Sequence, residues 1–220
     1  MYRRVRPLTL VGIALSLVGP GVVALASNRF ADRSESLGVR ATFLLLFLGL
    51  AGTVAAIAFR GERLSWSQVG FGRLSWATPL RAAALVLFFL FVFSPLASTL
   101  LAKLGLQSFD VGRSKLAALP TWYLVVAIVI VATGEEWLYR GYAIERLERV
   151  VGNTWVAGGI SLLLFTIAHL PLWGFGVALT TLISGSIFTA LYIRYRDVSF
   201  LILAHVLTDL YGLVITPGSI

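Results

Sequence analysis

Five stretches of this chain, 8–26, 41–59, 82–102, 116–134 and 150–168, contain no charged side chain at all. A run of about 18 such residues is long enough to cross the hydrocarbon core of a bilayer as a helix. Inside that core every backbone N–H and C=O must find its partner within the chain, which leaves helices or a closed barrel, and uninterrupted apolar runs select the helix. Residues 170–193 supply a sixth span and 198–215 a seventh, the last carrying His205 and Asp209. The expected fold is therefore all-α, a polytopic transmembrane bundle of about seven helices. Only 13% of the 220 residues are charged, against about a quarter in a soluble domain, so an ordinary globular fold is excluded.

The net charge of +8 would suggest nucleic acid in a soluble protein. Here the charges sit between the apolar runs and read as topology signals, with no nucleic-acid partner implied. With the N-terminus inside, the cytoplasmic segments hold Arg3, Arg4, Arg6, Arg60, Arg63, Arg73, Arg81, Arg140, Arg146, Arg149, Arg194 and Arg196. The outer segments hold Arg29, Arg33, Arg40, Lys103, Arg113 and Lys115. Twelve against six favours a cytoplasmic N-terminus. The alternative for the first span is a signal peptide cleaved after Ala24-Leu25-Ala26, which would leave the other spans oriented as before. The lipid bilayer is the one partner this pattern names directly, and oligomeric state is not encoded in it.

Residues 1–115 divide from the rest as spans one to three with a cytoplasmic linker at 60–80, whose Trp66 and Trp76 would anchor at the interface on a short surface helix. Residues 116–220 hold the later spans. Pro20, Pro95 and Pro120 are expected to kink or start helices, and Gly49 with Gly52, and Gly158-Gly159, to let helices approach closely. The chain has no cysteine, which removes disulfides, thiolate metal sites and a cysteine nucleophile together.

Seven of the ten acidic residues fall in loops or flanking segments. Glu135, Glu136 and Asp209 do not, and neither do the two histidines, His169 and His205. A charged group there costs about 2.5–3.5 kcal/mol on insertion scales, so each is a functional candidate. On a helix, Glu136 and Arg140 are i and i+4 and lie about 40° apart, whereas Glu135 and Arg140 are about 140° apart. Arg140 should pair with Glu136, leaving Glu135 on another face. Phe165 and His169 share a face, so the ring can pack beneath the imidazole. His205 and Asp209 repeat the spacing, which lets a carboxylate hold an imidazole's tautomer. Singly, each cluster has a bland reading: an interfacial ion pair, an interfacial histidine, a buried His-Asp pair joining helices. Together, two carboxylates and two imidazoles with no partnered Ser or Cys suggest water activated by a general base, with donors for an oxyanion.

These motifs resemble those of the CPBP family of intramembrane proteases, which includes CAAX prenyl endopeptidases and bacteriocin-processing or self-immunity relatives. Glu135-Glu136 with Arg140 matches Glu-Glu-x-x-x-Arg, Phe165 with His169 matches Phe-x-x-x-His, and His205 with Asp209 matches His-x-x-x-Asn/Asp, in that order. The likeness spans roughly 116–215, and the first three helices carry no such motif. It implies a multi-pass protein of the cell membrane and a glutamate-dependent endopeptidase acting on a membrane-anchored protein or peptide. In it Glu135 would be the base, His169 would hold the same water, and His205 with Asp209 would stabilise the oxyanion. Glu136, Arg140 and Phe165 would support the site. No metal or other cofactor is favoured, because His-Glu-x-x-His is absent; zinc on Glu135, His169 and His205 is the alternative. An ionised Asp209 would repel an oxyanion, so at this position, often Asn in the family, it must act protonated or orient His205.

A serine protease of the rhomboid type fits poorly, since nothing accompanies Ser184-Gly185-Ser186. An intramembrane aspartyl protease needs two membrane aspartates. From another class, a transporter, proton relay or immunity protein would use the same cluster to bind an ion or a partner. The resemblance leaves three substrate types open: a prenylated C-terminus, a leader peptide or a transmembrane anchor. One geometric demand follows from about 1.5 Å of rise per residue. His169 lies some 20 Å along its span and His205 about 10 Å along its own, so tilt, a broken helix or shifted ends must bring them level.

Overall fold

The computed structural model describes residues 6–31, 36–106, 109, 113–114, 116 and 118–215. Arg3, Arg4, Arg33 and Lys115, used above to read topology, lie outside them. The described residues form an all-helical bundle with no strand. Five helical stretches are long and apolar enough to cross a membrane. They are α1 (Pro7–Ala31), α2 (Leu37–Gly61), α3 (Ala77–Lys103), α4 (Thr121–Val151) and Thr154–Tyr195. The last passes through a non-helical backbone at Gly174 (φ 79°, ψ 178°), which divides it into α5 (154–173) and α6 (175–195). A shorter apolar helix, α7 (Ser199–Ile215), completes the bundle. The chain is an integral, multi-pass membrane protein: Leu45, Leu80, Phe91 and Leu163 point out of the bundle and are each more than half exposed, as side chains facing lipid can be.

The helix ends differ from the sequence reading for local reasons. The fourth span begins at Thr121, after Pro120, and does not stop at Gly134. It runs to Val151 because the charges at 136, 140 and 146 meet partners inside the protein. The fifth begins at Thr154, since Gly152 turns left-handed (φ 73°) and the Asn153 side chain accepts from the N–H groups of Trp155 and Val156. Nor does it end near 168: it continues through Pro171 to Gly174. Proline removes one N–H donor without forcing a reversal, whereas Gly174 adopts a φ that side chains resist. Around that glycine α5 and α6 fold back antiparallel: a Cβ on Gly158 would lie 3.0 Å from Thr189 Cγ2, and one on Gly185 2.7 Å from Leu162 Cδ1.

Close packing is thus seen at Gly158 but not where else it was expected. Gly49, Gly52 and Gly159 face open space, and the tight contacts fall at Gly12 against Tyr142, Gly19 against Leu50 and Gly134 against Phe47. The dipeptide pattern of small residues does not say which face meets a neighbour; the bundle does. Four of the described helices also widen into π-helical turns, at Ile57–Gly61, Phe89–Phe93, Glu136–Ile144 and Tyr211–Ile215. At Phe89–Phe93, Pro95 can give no hydrogen bond to the carbonyl of Phe91, so the ladder must shift register.

The 61–76 segment proves to be more than a surface linker. Trp66–Val69 is a single 3₁₀ turn, and although Trp66 and Trp76 are exposed, Val69 is completely buried. Gly70 (φ 91°) presses on α4: its Cβ would fall 2.6 Å from Gly141 Cα. The Val198 N–H donates to the Gly70 carbonyl (2.7 Å), and the Gly72 N–H to Asp197 Oδ1 (3.2 Å). Tyr142 donates to Glu62 Oε1 (2.6 Å), and the buried Arg146 bridges Glu62 Oε2 (3.4 Å) and the Gln68 carbonyl (2.9 Å). Arg196 pairs with Glu145 (2.6 Å) and Glu148 (2.8 Å) and donates to Thr154 (3.0 Å). Burial disfavours its charge, yet the Glu148 and Glu145 carboxylates outweigh this and raise its pKa above the guanidinium norm. This end of the bundle is sealed.

Candidate active site

All the singled-out residues of α4–α7 line, or stand directly behind, one cavity of about 420 Å³. Its walls come mostly from the second halves of α1, α3, α5 and α7 and the first halves of α2, α4 and α6. It therefore extends from Glu136 and Arg140 away from the sealed end. The size is that of a ligand pocket and the lining is mostly apolar, with Glu135, Glu136, Arg140, His169, His205 and Asp209 among the polar groups.

The hub is Glu136, buried to 1% exposure at the start of the π-helical stretch of α4. Its Oε1 accepts from Arg140 Nη1 (3.1 Å) and meets His205 Nδ1 (3.0 Å). A π-helix has more residues per turn than an α-helix, so positions four apart come nearly into line and the Glu136–Arg140 pair is held closer to register. Ser161 of α5 donates to the Tyr139 carbonyl (2.6 Å) within that stretch. The guanidinium of Arg140 lies 4.0 Å above the Phe165 ring, and Gly185 leaves room for it on the α6 side.

Glu135, one residue earlier, lines the cavity and makes no hydrogen bond or ion pair among the described residues. Arg140 is thus committed to the second carboxylate and not the first. Gly134 lets the Phe47 ring of α2 close over the same turn, at 2.4 Å from where a Cβ would stand.

His169 packs on Phe165 with ring centroids 4.5 Å apart, and its Nδ1 lies 2.8 Å from the Phe165 carbonyl. A carbonyl only accepts, so Nδ1 carries the proton and Nε2 of the neutral ring is an acceptor. His205 sits against the Phe188 ring (5.8 Å), with Nε2 3.6 Å from Asp209 Oδ2. Asp209 keeps 40% of its side chain exposed. Its pairing with His205 was expected, but the shorter contact of His205, to Glu136, was not. Nothing in the spacing of 136 and 205 signals it. Phe188, Ser161 and Phe47 were missed in the same way, although Gly134 and Gly185, small residues beside the motifs, mark where neighbours come close. Two buried atoms on the cavity wall, Glu136 Oε2 and Thr208 Oγ1, have no hydrogen-bond partner among the described residues and can serve a bound polar group.

The two histidines come level because the span ends shift. α4 and α5 continue past the plane where α7 begins, and Val198, just before α7, is tied through Gly70 to Gly141, five residues from Glu136. Among the described residues no three His, Asp or Glu side chains are grouped as they stand to hold a metal ion.

Residues 117–211 match the family model described as type II CAAX prenyl endopeptidase Rce1-like. That segment contains α4 to α7 up to Tyr211, and with them every residue of the cluster. No curated protein and no solved structure matches the chain.

Proposed function

We propose, from the match of residues 117–211 to the Rce1-like type II CAAX prenyl endopeptidase family model, that this chain is an intramembrane endopeptidase working through glutamate-activated water. The family supplies the general class, a protease of the membrane acting on a membrane-anchored peptide. The observation that carries the finer reading is the division of labour between two adjacent carboxylates. Glu136 is held by Arg140 and His205, while Glu135 faces the cavity with no partner among the described residues.

In this reading Glu135 takes a proton from a water that also donates to His169 Nε2, and the hydroxide adds to the scissile carbonyl. His205 faces the oxyanion and stabilises it. Asp209, 3.6 Å from His205 Nε2, orients the ring instead of donating to the oxyanion itself. As the intermediate collapses, the C–N bond breaks and Glu135 returns its proton to the leaving amine. Glu136 and Arg140 hold His205, and Phe165 supports both His169 and Arg140.

The proposed chemistry is metal-free. A chelator should leave cleavage unchanged, and stoichiometric zinc in purified active protein would replace this reading. The N-terminus is proposed to be cytoplasmic, from the basic residues of the connecting segments.

The decisive comparison is of N- and C-terminal peptides in membranes from cells carrying wild type and Glu135→Gln at equal expression. Gln keeps the shape of the side chain and cannot take the proton. Defined termini should vanish and longer precursors accumulate. If the two sets of termini coincide while both proteins rescue a deletion phenotype, the cluster binds an ion or a partner and is not a peptidase site.

A further inference from the structure

We infer that the active-site cavity opens to the non-cytoplasmic side of the membrane, so that the substrate is a membrane-anchored protein or peptide whose cleavable bond is presented there. This deepens the peptidase reading and rests on it for the word substrate; the direction of access stands on separate observations.

The first is the asymmetry of the bundle. Below Glu136 the layer formed by Leu138, Tyr139, Tyr142, Ala143 and Ile144 has no exposed surface at all. Beneath that layer the 61–72 segment is bonded to α4 and to Val198, and Arg196 ties Glu145, Glu148 and Thr154 together. No lining residue of the cavity comes from this end. From Glu136, Arg140 and His205 the cavity extends toward the other end, among Ser27, Arg40, Ser94 and Arg113.

The second observation is charge. With the buried Arg140 set aside, nine of the described basic residues lie in or beside the segments joining the helices at the sealed end, and four at the open end. Basic residues in short connections resist translocation, so the sealed end is the cytoplasmic one. Charge sequence and cavity position are independent, and together they set the direction. A C-terminal peptide lipidated on the cytoplasmic leaflet would meet the sealed face, whereas an anchor or peptide displayed outside would meet the opening.

The chain has no cysteine, so single cysteines report without background. Lys103→Cys marks the open end, Ser67→Cys the sealed end and Ser27→Cys the cavity wall. The full-length protein in spheroplasts is treated with a membrane-impermeant maleimide before and after permeabilisation. Lys103→Cys and Ser27→Cys should react before, Ser67→Cys only after. The reverse pattern, or a Ser27→Cys that reacts from neither side while Lys103→Cys reacts, overturns the proposal. Ser94→Cys on the α3 wall replaces Ser27→Cys should that variant not accumulate. Labelling needs no turnover, so a wrong direction leaves the peptidase reading standing, and an inert Glu135 leaves the direction standing. In the terminal-peptide comparison, the bonds lost in Glu135→Gln should fall on the outer flanks of their substrates' spans; bonds on cytoplasmic flanks would overturn the substrate class.

Discussion

The two ends of this bundle treat their ionisable groups in opposite ways. At the sealed end the carboxylates are closed in by partners: Glu62 by Tyr142 and Arg146, Glu145 by Tyr192 and Arg196, Glu148 by Arg196, Asp197 by two backbone N–H groups. At the cavity end, Glu135 has no partner among the described residues, and Glu136 Oε2 and Thr208 Oγ1 are buried without one. Buried polar groups are satisfied where they serve structure, because leaving one unsatisfied costs about 1–3 kcal/mol. Groups kept unsatisfied beside a cavity are groups held ready for something that enters it.

The comparison is broken most directly at Glu135. Glu135→Gln should reduce cleavage by about 10²–10⁴-fold, the range of general-base catalysis, with the unfolding midpoint in detergent unchanged. A large loss of stability would put Glu135 with the structural groups and erase the distinction. His169→Ala and His205→Ala should also abolish cleavage while the protein stays folded.

Arg140→Ala tests the other half of the contrast, since it strips a 1%-exposed carboxylate of its cation. It should cost about 3–5 kcal/mol in reversible unfolding, and Glu136→Ala a comparable amount. An unaltered transition in both would mean that the hub does not hold the helices.

A smaller effect belongs to the sealed end. Gly70→Ala adds a Cβ at a positive φ and against Gly141 Cα, so it should destabilise by about 1–3 kcal/mol and loosen the 61–72 segment, read as faster hydrogen exchange there. Unchanged exchange would show that the seal tolerates the shift. Smallest of all is Gly49→Ala, which meets nothing within 4 Å. It should stabilise α2 by about 0.5–1 kcal/mol through chain entropy alone, and a destabilisation would reveal a close neighbour at this face.

Much of this was legible in the residues themselves. The spans are, because about 18 apolar residues in a row have no other stable disposition in lipid. The Glu136–Arg140 pairing is, because it depends only on helical periodicity. What failed depended on register between distant segments. Gly49 and Gly158 look alike in sequence, yet one faces open space and the other Thr189. The charges after Gly134 looked like the end of a helix, since partners such as Glu62 for Arg146 are 84 residues away.

By itself, then, the sequence determined an all-helical membrane bundle and which side chains can do chemistry, because periodicity and transfer energies act locally along the chain. Only the tertiary structure decided that His205 rests on Glu136, that the 61–72 segment closes one end, and that Glu135 looks into a cavity at the other. Those facts come from how the helices settle against one another, and packing is set by contacts whose partners lie far apart in the chain.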